Sequence, residues 1–353
     1  MVKIEMNIYN SKTYCSDLKK TLSSIQSFEQ LKNKSIFITG CTGLICSSLI
    51  DLLINADQEF NFNIKLFLAV RNLKKTQERF ENNQTYIDLV EYDATCPIIF
   101  NHKVDYFIHG ASPASPDLFL KAPVDTMLSN IFGLKEILDN ALKNKSRTLY
   151  ISSSEVYGKI QTSQPIEENA CGSVEILNSR SSYGQSKRAA ETLCAAYISQ
   201  FNSDIVIARP GHIYGPTASR ADNRVSSSFM YDAFDGKDLI LKSKGDQLRS
   251  YTYCLDCASA ILFVLLKGKS GEAYNISNPN SICTIADMAK AFAKYSKVNL
   301  KFELPADEEK KAFNPMNNSS LNSTKLEALG WKPTFNKEEG FEHSIKILKE
   351  LQL

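Results

Sequence analysis

Two rhythms of hydrophobic positions alternate along the chain. "SIFITG" (35–40), "IKLFLAV" (64–70), "YIDLVEYD" (86–93), "VDYFIHGA" (104–111), "RTLYISSS" (147–154) and "DIVIARP" (204–210) are short β-rich runs that read as buried strands. Between them "LICSSLIDLLI" (44–54), "VDTMLSNIFGLKEILDNAL" (124–142) and "SYGQSKRAAETLCAAYISQF" (182–201) carry helical spacing. Strands that alternate with helices imply parallel pairing through right-handed crossovers, hence an α/β fold with a doubly wound parallel sheet.

Beyond residue 211 the pattern loosens. "GHIYGPTASRADNR" is loop-rich, "SSFMYDAFDG" and "CASAILFVLLKG" read as helices, "TIADMAKAFAKY" is an amphipathic helix, and "STKLEALGWKPT" follows near the end. Residues 1–34 are polar, with one or two short amphipathic helices in "SDLKKTLSSIQSFEQL". The expected organisation is an N-terminal helical extension (1–34), a doubly wound α/β domain (35–210) and a smaller lobe (211–353). Part of 247–277 is expected to return to the first domain. The lobe would face the carboxyl ends of the strands, where ligands bind in such sheets.

Composition narrows the class. The content is ordinary for a globular protein, at 43% hydrophobic and 23% charged. A net charge of +2 offers no electrostatic footing for nucleic acid or a charged membrane. No apolar run approaches the length that spans a bilayer, and "MVKIEMNIYN" lacks the apolar core of a signal peptide. Nine cysteines, with Cys254 and Cys257 the one close pair, read as free thiols in a reducing cytoplasm rather than as a metal site.

The chemistry begins at Thr39-Gly40-Cys41-Thr42-Gly43-Leu44-Ile45-Cys46, between a strand and a helix. Glycines in that context allow a tight turn and a close approach to a pyrophosphate at the helix N-terminus. Cys46 stands where a third glycine would ease helix–strand packing. The second strand ends at Arg71 rather than at an acidic residue. With Lys74 and Lys75 it suits a 2′-phosphate, a slight lean to NADP over NAD. Asp93, ending the third strand, is a candidate for the adenine amino group or a plain strand-end cap.

Tyr183 and Lys187 are four apart on a helix and share a face. An ammonium near a phenol favours the phenolate and makes a base that works near neutral pH. The fifth strand delivers Ser152, Ser153 and Ser154 just upstream, and a hydroxyl beside the phenol completes a proton-transfer site for an alcohol carbon.

These residues, in order with "DYFIHGASPASP", "NIFG", "SSSEVYG", "ARPGHIYGP", "RSYTYCLD", "YNIS" and "LGWKP", resemble the extended short-chain dehydrogenase/reductase family, in its nucleotide-sugar epimerase/dehydratase branch. The resemblance runs over about residues 35–335. It implies a Rossmann domain holding NAD(P) through Gly40, Thr42, Gly43, Leu44, Ile45, Arg71, Asp93, Ala111, Ser112 and Lys187. It also implies a nucleoside-diphosphate sugar in the C-terminal lobe, a homodimer, and a place in surface polysaccharide assembly. Ser153 falls on the family's catalytic hydroxyl, beside Tyr183 and Lys187. Where 4,6-dehydratases carry aspartate and then glutamate, this chain has Ser154 and Glu155, the arrangement most like UDP-glucuronate decarboxylases. Glu155 is a candidate base, water-positioner or sugar ligand. Ser154, His212, Arg224 and Arg249 are candidate substrate contacts. His212 and Thr217 replace an asparagine and an arginine of the decarboxylases. A 4-epimerase, a 4-keto reductase and an inactive cofactor-binding protein stand as alternatives.

Overall fold

The computed structural model describes residues 7–80, 83, 86–113, 116–303 and 316–352. Residues 1–6 of the expected extension and residues 114–115 of the "SPASP" stretch lie outside them.

Seven strands form one parallel sheet: β1 (Ser35–Thr39), β2 (Lys65–Val70), β3 (Ile87–Glu91), β4 (Tyr106–His109), β5 (Arg147–Ile151), β6 (Ile205–Pro210) and β10 (Ala273–Ile276). Their spatial order is β10-β6-β5-β4-β1-β2-β3, every pairing parallel. Strand order reverses between β1 and β4, and the crevice outside the carboxyl ends of those strands is where a doubly wound sheet binds its ligand. Side chains alternate across the sheet. Ile36 and Ile38 of β1 join one core cluster and Phe37 another on the opposite face.

Helices cover both faces. On one, α2 (Leu44–Phe60) and α8 (Cys254–Lys267) pack together; on the other, α5 (Pro123–Asn144) packs along α6 (Ser182–Phe201). Short helices α3 (Leu73–Arg79) and α4 (Pro116–Lys121) complete this half. The C-terminal lobe contains β7 (His212–Tyr214), α7 (Val225–Phe234), β8 (Leu239–Leu241), β9 (Leu248–Tyr253), β11 (Ile282–Thr284), α9 (Ile285–Ser296), β12 (Leu300–Phe302), α10 (Thr324–Glu327) and α11 (Lys337–Glu350). Here β7, β9 and β11 form a small sheet and β8 pairs with β12. Capping boxes at Thr284/Asp287 and Asn336/Glu339 start α9 and α11, each satisfying amides that helix geometry leaves open.

The N-terminal segment forms α1 (Lys12–Leu22), which packs on α2, α8 and α11. Its contacts are polar as well as apolar. The Tyr9 and Tyr14 hydroxyls donate to fully buried Asp51 of α2 at 2.8 and 2.6 Å, and Arg79 of α3 pairs with the same carboxylate. Asp17 of α1 accepts from Tyr253 at 3.0 Å and meets His343 of α11 at 2.9 Å. Ser11 and Thr13 hydrogen-bond Glu350. The extension therefore ties the half built on the seven-stranded sheet to the last helix. No described helix is long and apolar enough to cross a membrane.

Candidate active site

The glycine turn forms as β1 ends. Gly40 sits at φ +74°, a conformation open to glycine, and a β-carbon there would fall 2.6 Å from the Gly110 carbonyl oxygen. The neighbouring turn after β4 is held by one hydroxyl: Thr39 Oγ1 accepts the amides of Gly110 and Ala111, both at 3.0 Å. With its lone pairs so engaged, Thr39 gives its proton to Nδ1 of His109, 3.0 Å away. Burial keeps that imidazole neutral, with a pKa lowered to about 3.

Cys46, in the first turn of α2, is buried against this same turn. A β-carbon on Gly110 would lie 2.5 Å from the Cys46 sulfur. The thiol thus fills the space between helix and strand, and the glycine that makes room is on β4's side of the contact. Burial pushes the thiol up to about 12, eased by Lys187 nearby. It is not an ionised nucleophile near neutral pH.

These residues fit a dinucleotide. Gly43 starts α2 with no side chain capping its first turn, and Thr42 and Gly43 are exposed there. Ile45, Ala111 and Ser112 are half-buried around the same turn, while Leu44 is buried. Amides of an uncapped helix start suit a pyrophosphate. Arg71 is exposed beyond β2 and lies close enough to help lower the Asp93 carboxyl. Asp93 itself accepts from the Thr95 amide (2.9 Å) and hydroxyl (2.7 Å), the capping role among its two sequence readings.

Ser153, Glu155, Tyr183 and Lys187 converge where β5 meets α6. Ser153 caps the turn Ser154–Tyr157, its oxygen accepting the Glu155 amide at 3.2 Å. Its hydroxyl proton is then free for the Tyr183 phenol; burial raises that phenol's pKa, and a hydrogen bond from Ser153 opposes the rise. Close backbone approach makes this possible: a β-carbon on Gly184 would lie 3.1 Å from the Glu155 carbonyl oxygen.

One expectation is corrected here. Lys187 does not hold the phenol's pKa down. Burial raises the Tyr183 pKa above its ordinary value, and the cations that oppose the rise are Arg224 and Arg180. The Lys187 Nζ donates to the Ile151 carbonyl at 2.9 Å and lies over the Tyr150 ring, 5.9 Å from the centre of Tyr183's. Fully surrounded, it has its own pKa lowered to about 7.

The candidate substrate contacts differ in their freedom. Arg249 of β9 is 4% exposed, donates to the Leu248 and Met316 carbonyls, and has no carboxylate in ion-pair reach among the described residues. A buried cation in that state suits an anionic ligand. Arg224, by contrast, is engaged by Asp222 through Nε at 2.9 Å, and the pair fixes the start of α7. His212 of β7 is half-buried, lies 3.0 Å from the Ser319 hydroxyl and is kept neutral, its pKa lowered to about 3 by burial and then by Arg249 and Arg224. Thr217 faces away from the lobe: its hydroxyl meets Leu44 O and Ser48 Oγ of α2. Ser154 is half-buried in the turn after β5.

Two side chains at this site carry no sequence signal. Phe119 of α4 stacks on Tyr183, ring centres 5.1 Å apart at 15°. Arg180, in the turn before α6, lies 4.6 Å over Phe119 and 3.6 Å from Glu155.

The model of the NAD dependent epimerase/dehydratase family matches residues 36–277. UDP-glucuronic acid decarboxylase 6 of Arabidopsis thaliana is 33% identical over 312 residues, 87% of each chain. Among solved structures, the UDP-glucose 4-epimerase of Thermotoga maritima with UDP-glucose superposes with a TM-score of 0.76 at 20% identity. That match covers 90% of this chain and all of the other. DesIV, a dTDP-glucose 4,6-dehydratase of Streptomyces venezuelae with NAD bound, gives 0.75 at 20% identity, covering 90% of this chain and 97% of its own.

Proposed function

The chain belongs to the NAD dependent epimerase/dehydratase family, and from that premise we propose that it oxidises C4 of a nucleoside-diphosphate sugar to a ketone and decarboxylates the sugar. The observation that carries this reading is the placement of Ser153, just past the carboxyl end of β5, with Tyr183 and Lys187 of α6, whose ammonium donates to the Ile151 carbonyl of that strand at 2.9 Å. Likeness to UDP-glucuronic acid decarboxylases over most of the chain supports the choice of net reaction.

Tyr183 acts in its phenolate form, which a hydrogen bond donated by Ser153 stabilises; it takes the proton of the C4 hydroxyl and becomes the phenol. NAD(P) held at the glycine turn would supply the acceptor for the C4 hydride and the hydride for the closing reduction. Lys187 orients the ribose of the cofactor, and its buried position excludes water from that side. A ketone at C4 makes a C6 carboxylate a β-keto acid: the C5–C6 bond breaks, its electron pair passes into a C4–C5 enolate as carbon dioxide leaves, and C5 takes a proton from water, a sequence that needs little beyond orientation. Glu155 stands beside Tyr183 as the group that holds a sugar hydroxyl or water during that step. Arg249 holds the diphosphate. Arg71 supports NADP over NAD. Nine free thiols support a cytoplasmic setting, and the exposed stripe Val124, Met127 and Leu128 on α5 supports a homodimer.

Incubation with UDP-glucuronate and with neutral nucleotide sugars, followed by product mass, tests the proposal. A loss of 44 mass units, about one carbon dioxide, supports it. Unchanged mass with altered stereochemistry would replace it by 4-epimerisation, and loss of water by dehydration. Mass spectrometry of the cofactor that copurifies separates NAD from NADP.

A further inference from the structure

Most arginines with a carboxylate partner in this protein are firmly held. Arg147, Arg209, Arg220 and Arg224 each meet a carboxylate within 3.0 Å. Arg180 does not. Its guanidinium is 3.6 Å from Glu155, beyond hydrogen-bond length, and makes no side-chain hydrogen bond among the described residues. Its guanidinium carbon also lies 4.6 Å from the centre of the Phe119 ring. A planar fork so presented, with its donors unspent, matches a carboxylate two-to-two.

Its location selects which carboxylate. Phe119 is stacked in turn on Tyr183, so one ring touches both the guanidinium and the phenol, and the Arg180 charge acts on that phenol. Arg180 therefore stands at the reacting end of the site. Arg249 comes from β9 in the C-terminal lobe and is a separate cation. In a hexuronic acid, C5 alone separates the carboxylate carbon from C4. A sugar whose C4 hydroxyl meets Tyr183 carries its carboxylate into this neighbourhood.

Resting on Tyr183 as the C4 base, we infer that Arg180 is the cation that receives the sugar-acid carboxylate, exchanging a loose contact with Glu155 for a two-pronged one. The exchange gains two charge-assisted hydrogen bonds and gives up a single long ionic contact that is worth little at partial exposure. It also frees Glu155 only when an acid is bound. A neutral sugar leaves the Arg180–Glu155 pair in place. The site thus reads the presence of the carboxylate, a specificity role that Arg249 does not perform.

The test compares two ligands that share a nucleotide and differ in the carboxylate. Binding of UDP-glucuronate and of UDP-xylose to the cofactor-loaded enzyme is measured by calorimetry for wild type, Arg180→Met and Arg180→Lys. Methionine keeps an apolar stem over Phe119. The expected result is a loss of about 10- to 100-fold in UDP-glucuronate affinity for Arg180→Met, the range of a hydrogen bond to a charged group. UDP-xylose affinity stays within about twofold, and Arg180→Lys falls between, since an ammonium pairs without the fork. Equal losses for both ligands, or no loss for either, overturn the assignment. A wild type that binds both equally tightly overturns the carboxylate role while leaving the nucleotide-sugar reading intact. Binding of neither overturns both.

Discussion

The sulfur of Cys46 occupies the volume that a β-carbon on Gly110 would need, at 2.5 Å from its position. Helix α2 and the turn after β4 are therefore fitted to each other through a thiol and a missing side chain. Gly110→Ala should overpack this contact, at a cost of about 1–3 kcal/mol, and should push apart the walls of the glycine turn. Adding Cys46→Gly should restore part of the loss, because Ile151 and the Thr39 carbonyl still stand 3.2 Å from the new carbon. Thermal midpoints and retained cofactor across this double-mutant cycle measure the coupling; additive effects would show that the two residues do not share the space.

Tyr183→Phe removes the phenol and keeps the ring that stacks on Phe119. C4 oxidation should fall by at least about 100-fold, the lower end of what a positioned base contributes. Reduction of the bound cofactor by added nucleotide sugar follows it directly, and an unaltered rate would remove Tyr183 from the reaction.

Glu155→Gln should leave that first oxidation within a few-fold while slowing product release of carbon dioxide. Rapid-quench analysis would then show a 4-keto sugar that accumulates. Slowing of the oxidation alone would place Glu155 with Tyr183 instead.

The spacing of short segments made part of this site legible. Five of the six strands show in the sequence because each is a compact, largely buried apolar run, while β3, half-buried at the sheet edge, shows through Ile87, Leu89 and Val90. The four-residue strand β10 carries Asn275 in its middle and reads only as a return of the chain. Within "STKLEALGWKPT", to which the sequence assigns no element, α10 stops at Glu327; Gly330 turns the chain at φ +95°, and buried Trp331 anchors it through Ser259. Tyr183 and Lys187 do lie on one helix, but four-residue spacing says nothing of where an ammonium ends. The Ile151 carbonyl takes it. Arg180 and Phe119 were invisible because their partners come from other segments, and no periodicity links a turn, a short helix and a strand end.

Asp51 is the one acceptor for Tyr9, Tyr14 and Arg79, from three different segments. Asp51→Ala should cost about 3–5 kcal/mol, since it leaves a largely buried guanidinium unpaired. Asp51→Asn keeps an acceptor and should cost less. Urea unfolding of both variants checks the order.

His343 gives the fold a pH dependence. Its hydrogen bond to Asp17 raises its pKa above the ordinary histidine value, against burial, with Asp17, Glu339 and Glu342 as the charges facing it. Its stabilising contribution is fully present below the unfolded value of about 6.5 and is lost as pH rises through the folded pKa. Wild type should therefore lose stability between mildly acidic and alkaline pH, and His343→Gln should lose less over that interval. Parallel denaturation curves at all pH values would exclude the link.

Asp17 and His343 are 326 positions apart. During synthesis, the carboxylate of α1 emerges long before the imidazole that meets it, and a nearly dry acid without its counterpart has no reason to leave water. The first helix therefore waits for the last. Docking of the extension closes the assembly of the molecule rather than starting it, and a ribosome-bound intermediate is expected to hold α1 in solvent until α11 arrives.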